Sequence, residues 1–294
     1  MSRDNKMTKF LLFSFMIYVA AQSVAQDLEL TLSLDKEVFW EVEPIWVKVS
    51  LSNKGSGEVA VPKYLIPEAP NLTVELFDIK GNKLKYKGVL FDLRGNPSCM
   101  LKPGEAMDEY FNLLDYYGED VSPDLPSFHL KEGAYSIYAQ QNSFGIISHS
   151  NKVTFLVKEI SGKETDALRL FKKGYCTWIY KKNKLQAIEI YRKMIDSYPN
   201  SVYVEVAYNH LFMCYKWGPK DYVTAIKVGE ELITQFPQSP FSGRMIQYLA
   251  GAYEALNEKD KIKPKLIELA DKYGDVNPKI RKNAMEIIDR LEDN

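Results

Sequence analysis

Three histidines (His129, His149, His210) and three cysteines (Cys99, Cys176, Cys214) are the side chains of this 294-residue chain best suited to metal ligation or nucleophilic attack. Their spacing serves neither. No Cys-x-x-Cys or His-x-x-x-His pair puts two ligands on one turn, no Gly-rich loop is built to cradle phosphate, and no Gly-x-Ser-x-Gly turn presents a nucleophile. A Ser/His/Asp set can be assembled from so many serines by chance composition alone. No catalytic residue, cofactor or metal is therefore expected, and the chain does not read as an enzyme.

Two other groupings have a chemical reading. Asp115-Tyr-Tyr-Gly-Glu119-Asp120 with Asp124 clusters hard oxygen ligands, as calcium requires, but lacks the spacing of a defined calcium loop. A solvated acidic loop bearing exposed aromatics, Tyr116 and Tyr117, is the expected form. Asn71-Leu72-Thr73 matches a glycosylation sequon at the start of an expected strand.

The elements that would carry these residues fall into three segments. Residues 1–25 hold a basic start (Arg3, Lys6, Lys9) and an apolar run of 12 residues, Phe10 to Ala21, then small residues at Ser23 and Ala25. At ~1.5 Å per residue that run is too short for a bilayer core of ~30 Å. It reads as a cleaved secretory signal, and no cysteine follows it to take a lipid. The expected location is periplasmic or secreted, with no transmembrane segment in the mature chain. Residues 26–160 carry 13 Lys+Arg against 20 Asp+Glu (net −7), and residues 161–294 carry 22 against 18 (net +4). This asymmetry suits two domains, and a +4 half with interspersed acids is no nucleic-acid signature.

From Asp27 to Lys158 short runs alternate apolar and polar: Leu28 to Leu34, Ile45 to Leu51, Leu72 to Phe77, Tyr135 to Ala139 and Val153 to Val157. Turn residues separate them, as at Asn53-Lys-Gly-Ser-Gly57, Lys80-Gly81-Asn82 and Lys102-Pro103-Gly104. Period-two hydrophobicity buries one face of each strand, and two half-apolar sheets solve that by packing together. An all-β sandwich is the expected fold of residues 26–160.

From Ser161 the period becomes helical and the sequence repeats. A shift of 38 places Ala187-Ile188 on Ala225-Ile226, Ile195 on Ile233, and Tyr198-Pro199-x-Ser201 on Phe236-Pro237-x-Ser239. The same shift carries Ala207, Leu211, Cys214 and Tyr215 onto Met245, Leu249, Ala252 and Tyr253. Two helices per period of this length predict an all-α solenoid over residues 161–294, with about three repeats and a terminal helix at 278–291. Proline ends each second helix at Tyr198 or Phe236, and the aromatic should pack beneath the turn. Ser201, Ser239 and Asn277 should cap the next helix, with Pro240 and Pro278 at its first position. Cys176 and Cys214, one repeat apart, should be packing residues. Neighbouring helix axes lie ~8–10 Å apart, whereas a disulfide wants Cα atoms within ~7 Å.

Residues 27–158 resemble bacterial immunoglobulin-like domains, on Leu-x-Leu, Glu43-Pro44-Ile45-x-Val47-x-Val49, Pro103-Gly104-Glu105 and Gly133-x-Tyr135-x-Ile137. Residues 165–292 resemble tetratricopeptide repeats, on Ala187 and Ala225, Tyr191, and the helix-ending Pro199 and Pro237. The array departs from that family: its period exceeds the usual ~34, Gly229 stands for the second aromatic, and the third repeat lacks the small residue and the proline. The resemblance implies that one face of the first helices lines a concave groove for peptides or partner segments. Trp178, Asn209, Phe212, Lys216, Gln247 and Glu254 occupy that face, off the core stripe. Arg169 and Lys173 replace apolar residues of later repeats, so the first repeat reads as a cap.

These features predict an exported bacterial scaffold that binds a protein or peptide of the cell envelope through its helical face. The alternative is a carbohydrate- or protease-binding module acting through sandwich loops at Tyr116, Tyr117 and Phe144.

Overall fold

Alternating side chains in the N-terminal half demand sheets, and the computed structural model, which describes residues 28–88, 97–118, 129–179 and 181–292, contains them. The signal-like segment 1–25 and the acidic residues Glu119, Asp120 and Asp124 lie outside the described residues. Those described form two compact units, one holding everything to Glu159 and the other everything from Ile160.

The first unit is built from strands β1 (Leu28–Leu34), β2 (Val38–Trp40), β3 (Trp46–Asn53), β4 (Val59–Pro62), β5 (Leu72–Asp78), β6 (Ser98–Leu101), β7 (Ala106–Asn112), β8 (Gly133–Ser143), β9 (Ile146–His149) and β10 (Val153–Lys158). One sheet runs β1-β3-β7, a second runs β2-β10-β8-β5 with β9 on β8, and β4 pairs with β6. All pairings are antiparallel except β2 with β10. Alternate residues of both larger sheets, among them Leu30, Leu32, Val47, Val49, Val74, Leu76, Ile137 and Phe155, meet in one apolar core. Asn151 ties β1 to the β9–β10 turn: its Oδ1 accepts from Leu32 N at 2.8 Å and its Nδ2 donates to Leu32 O at 3.0 Å.

One expectation about this half is corrected. Tyr116 and Tyr117 are not exposed loop aromatics: they are 6% and 1% exposed. A 3₁₀ turn at Leu113–Asp115 swings both rings inward, where Tyr116 donates to Glu68 Oε1 and Tyr117 donates to the Val74 carbonyl. Tyr86 stacks on Tyr116 at 5.8 Å and meets Tyr117 edge-on at 5.6 Å. Asn71 is 6% exposed and donates to Tyr64 O at 3.0 Å, so the sequon sits where a glycan has no room. Phe144 is exposed, at the tip of the β8–β9 hairpin with φ +51°.

The second unit is a run of seven helices: α1 (Lys163–Ile179), α2 (Lys184–Ser197), α3 (Val204–Trp217), α4 (Tyr222–Gln235), α5 (Pro240–Ala255), α6 (Lys259–Tyr273) and α7 (Pro278–Glu292). Consecutive helices pack together, and α1 also touches α3, α3 touches α5, and α5 touches α7. The 38-residue period is visible in the backbone. α2 and α4 both end before proline, with Tyr198 and Phe236 leaving helical geometry at φ/ψ −137°/57° and −129°/56°. The turns entering α2, α4 and α6 each hold one residue with left-handed backbone: Lys182, Lys220 and Asn257, φ +52° to +57°. The residue after it is the N-cap, and Asn183 and Asp221 accept from Gln186 N and Thr224 N at 3.1 and 3.0 Å. Tyr198 and Phe236 are only half-buried. Phe236 packs against Tyr208 (6.3 Å), within its own repeat, rather than beneath the turn. Arg169 and Lys173 are exposed while Ala207 and Leu211, one repeat later, are fully buried.

Candidate interaction face

Glycines let neighbouring helices of the array approach closely. Gly174 of α1 receives the Tyr191 ring, and a Cβ there would lie 2.8 Å from its Cε1. Gly229 of α4 likewise admits Leu249 and Met245 of α5, which explains a glycine where the repeat pattern asks for an aromatic.

Tyr191, thus seated, reaches His210 of α3, with its hydroxyl 3.0 Å from Nδ1. The imidazole lies among Phe171 (5.5 Å), Tyr175 (5.6 Å), Trp178 (5.0 Å) and Tyr191 (5.5 Å), ring centre to ring centre. An edge of the residue meets solvent, but four rings strip the imidazole of water and hold its pKa down to about 3. Burial also pushes the Tyr191 hydroxyl well above 10. Both groups are therefore neutral at pH 7 and share one hydrogen bond between the hydroxyl and Nδ1.

One repeat on, Tyr248 takes the place of His210 and Lys216 that of Trp178. The Lys216 ammonium sits over the Tyr248 ring at 5.6 Å, and Tyr248 also stacks on Phe212 at 6.0 Å and 23°. Each first helix thus covers a side chain of the preceding one with an aromatic ring. The third step stops: Glu254 is exposed, and its partner position holds the equally exposed Glu286.

The six residues of the expected face divide accordingly. Gln247 and Glu254, two turns apart on α5, are exposed. Trp178, Asn209 and Lys216 are half-buried. Phe212 is not on the face: it is 0% exposed, turned into the α3–α5 contact under Tyr248. His210, Tyr248 and Tyr175 were missed. The sequence signal for the first two was their own 38-residue spacing beside the core stripe.

The helix starts are linked by polar contacts as well. Ser239 is the N-cap of α5 and accepts from Phe241 N at 2.9 Å. Ser201 does the same for Tyr203 N at 3.2 Å, although α3 itself begins only at Val204. Each hydroxyl also donates back to a carboxylate of the preceding first helix, Ser201 to Glu164 and Ser239 to Glu205. Asn277 continues the series, donating to the Pro237 and Ser239 carbonyls at 3.0 and 2.9 Å and accepting from Lys279 N.

Cys214 is fully buried and its thiol is pushed up to about 12 by desolvation, as a packing residue requires. Cys99 and Cys176 are half-buried, and Ala252, the third member of the Cys176–Cys214 column, is fully buried. Among the described residues no three His, Cys, Asp or Glu side chains converge to hold a metal, and no helix is long and apolar enough to cross a membrane.

No protein-family model matches the chain, and no curated protein matches it. Solved structures are similar to parts of it. A mutant β-glucosidase from Listeria innocua in complex with laminaribiose is 16% identical over 45% of this chain and 16% of its own, at TM-score 0.27. The sporulation control protein Spo0M of Bacillus subtilis is 12% identical over 50% of this chain and 55% of its own, also at 0.27. The alkylpurine DNA glycosylase AlkC of Pseudomonas fluorescens, bound to DNA with an abasic-site analogue, is 9% identical over 45% of this chain and 30% of its own, at 0.26. Similarities this low place neither half in a fold family.

Proposed function

We propose that the chain is an exported, non-enzymatic scaffold: an immunoglobulin-like β-sandwich followed by a tetratricopeptide-like array whose first helices present a face to a protein or peptide of the cell envelope. The observation that carries this reading is the repeated pairing of Trp178 with His210 and Lys216 with Tyr248. It lays aromatic and polar side chains in register along one row of helices, with Gln247 and Glu254 exposed at its α5 end. Stacked helical repeats use such rows as extended binding surfaces. Aromatic residues pre-packed in this way cost little conformational entropy on binding. The basic start and apolar run of residues 1–25 support export.

Affinity capture from envelope extract with the full chain and with the Trp178→Ala/Lys216→Glu variant tests this. A partner retained by the first and lost by the folded second supports the reading; an unchanged set of retained proteins opposes it.

A further inference from the structure

The outer face of the β2-β10-β8-β5 sheet holds a trough. Register puts Phe77 opposite Ser136 and Glu75 opposite Tyr138 across β5–β8, with Thr154 and Leu156 beside Ser136 and Ala134 on β10. These side chains alternate with core residues and point away from the core. Because Ala134 and Ser136 are small, the middle strand lies low between larger neighbours, leaving an open cavity of about 440 Å³ with the Asp78–Gly81 turn and Lys152 at its rim. That volume falls within the ~300–1,000 Å³ of small-molecule sites.

Its lining is mixed in a specific way. The Phe77 and Tyr138 rings are nearly parallel, 10° apart at 5.8 Å, and form one apolar wall. Tyr138 is fixed there, because its hydroxyl donates to Glu75 Oε2 while Lys83 pairs with Oε1. Ile79, 77% exposed, extends this wall. Around it stand polar groups: among the described residues neither the Ser136 nor the Thr154 hydroxyl has a side-chain partner, and Lys152 has no ion pair. Charges nearby are balanced, with Glu75 on Lys83 and the Asp78 carboxylate held by Asn82 and Lys80 N opposite the cationic Lys152.

An apolar segment placed here would strip water from Thr154 and Lys152 without replacing it. A polyanionic ligand would meet the Asp78 carboxylate at the rim. A sugar ring matches both requirements, offering a C–H face to the aromatic wall and hydroxyls, which donate and accept, to the rim. We propose that this trough binds a neutral pyranose unit of a glycan, stacked on Phe77 and Tyr138 and hydrogen-bonded to Ser136, Thr154 and Lys152. The proposal is independent of the helical face and replaces the loop aromatics Tyr116 and Tyr117, which are buried, as the sugar-facing element.

The test is isothermal titration of the full chain with neutral hexasaccharides (cello-, xylo-, manno- and chito-series) and with an acidic one, oligogalacturonate. Binding of at least one neutral series is expected, with oligogalacturonate inert. Phe77→Ala should weaken that binding about tenfold, and Phe144→Ala should leave it unchanged. Should Phe77→Ala unfold the sheet, Thr154→Arg, at an exposed position, fills the trough and should abolish binding in a folded protein. No binding by the natural chain, binding of oligogalacturonate alone, or binding that survives Thr154→Arg would each overturn the proposal.

Discussion

The Trp178 indole lies 5.0 Å from the His210 imidazole, centre to centre, and helps keep that imidazole dry. A histidine held near pKa 3 in the folded chain, against about 6.5 unfolded, stays neutral while the unfolded chain takes up a proton. The unfolded state binds more protons between those two values, so this group costs stability as pH falls through 6.5 towards 3. Urea denaturation should show His210→Phe losing up to about 2 kcal/mol less than the natural chain between pH 7 and pH 5. Carboxylates contribute equally to both proteins. Parallel profiles would mean that His210 is solvated or protonated in the native state.

Ser239 accepts from Phe241 N and donates to Glu205, joining the start of α5 to the start of α3. Ser239→Ala should cost about 1 kcal/mol as a lost cap. A double-mutant cycle with Glu205→Gln should give a coupling of about 0.5–1 kcal/mol. The pair Ser239 and Glu164, which do not touch, should be additive. Coupling of the second pair as strong as the first would deny the contact its local character.

Lys220 pays for a left-handed backbone, φ +57°, that glycine adopts freely, whereas Asn257 holds the same φ in the third such turn with a residue suited to it. Lys220→Gly should raise the midpoint of thermal unfolding, by the equivalent of about 1 kcal/mol, and Asn257→Ala should lower it. A destabilised Lys220→Gly would show that the turn is held by contacts of the lysine side chain.

What the sequence disclosed follows from where its signals are local. Alternation located β1, β5 and β10 almost to the residue, because each has one face in the core. β7, Ala-Met-Asp-Glu-Tyr-Phe-Asn, was invisible: as the edge of the β1-β3-β7 sheet only Phe111 of its seven residues is buried, so no period is written into it. The 38-residue spacing located the helices, their proline stops and the Ser239 and Asn277 caps. It hid the Glu164–Ser201 and Glu205–Ser239 links, which span 37 and 34 residues: the serines keep the 38-residue spacing, but α3 begins three residues after Ser201, so Glu205 follows Glu164 by 41. Tyr116 and Tyr117 misled because acidic neighbours suggest water. The direction of their rings depends on a 3₁₀ turn and on Glu68 and Val74, distant in sequence. Helical position alone puts Phe212 on the interaction face, but the Tyr248 ring, 36 residues on, covers it.

Site-specific photocrosslinking in the source cell tests the central claim most directly. A benzophenone side chain replacing Gln247 or Glu254, exposed on the first-helix row, should yield discrete protein adducts. The same probe at Glu189 or Lys227, exposed on the second helices α2 and α4, should not. Adducts confined to Glu189 or Lys227, or none at either first-helix position, would contradict an interaction face built on α1, α3 and α5.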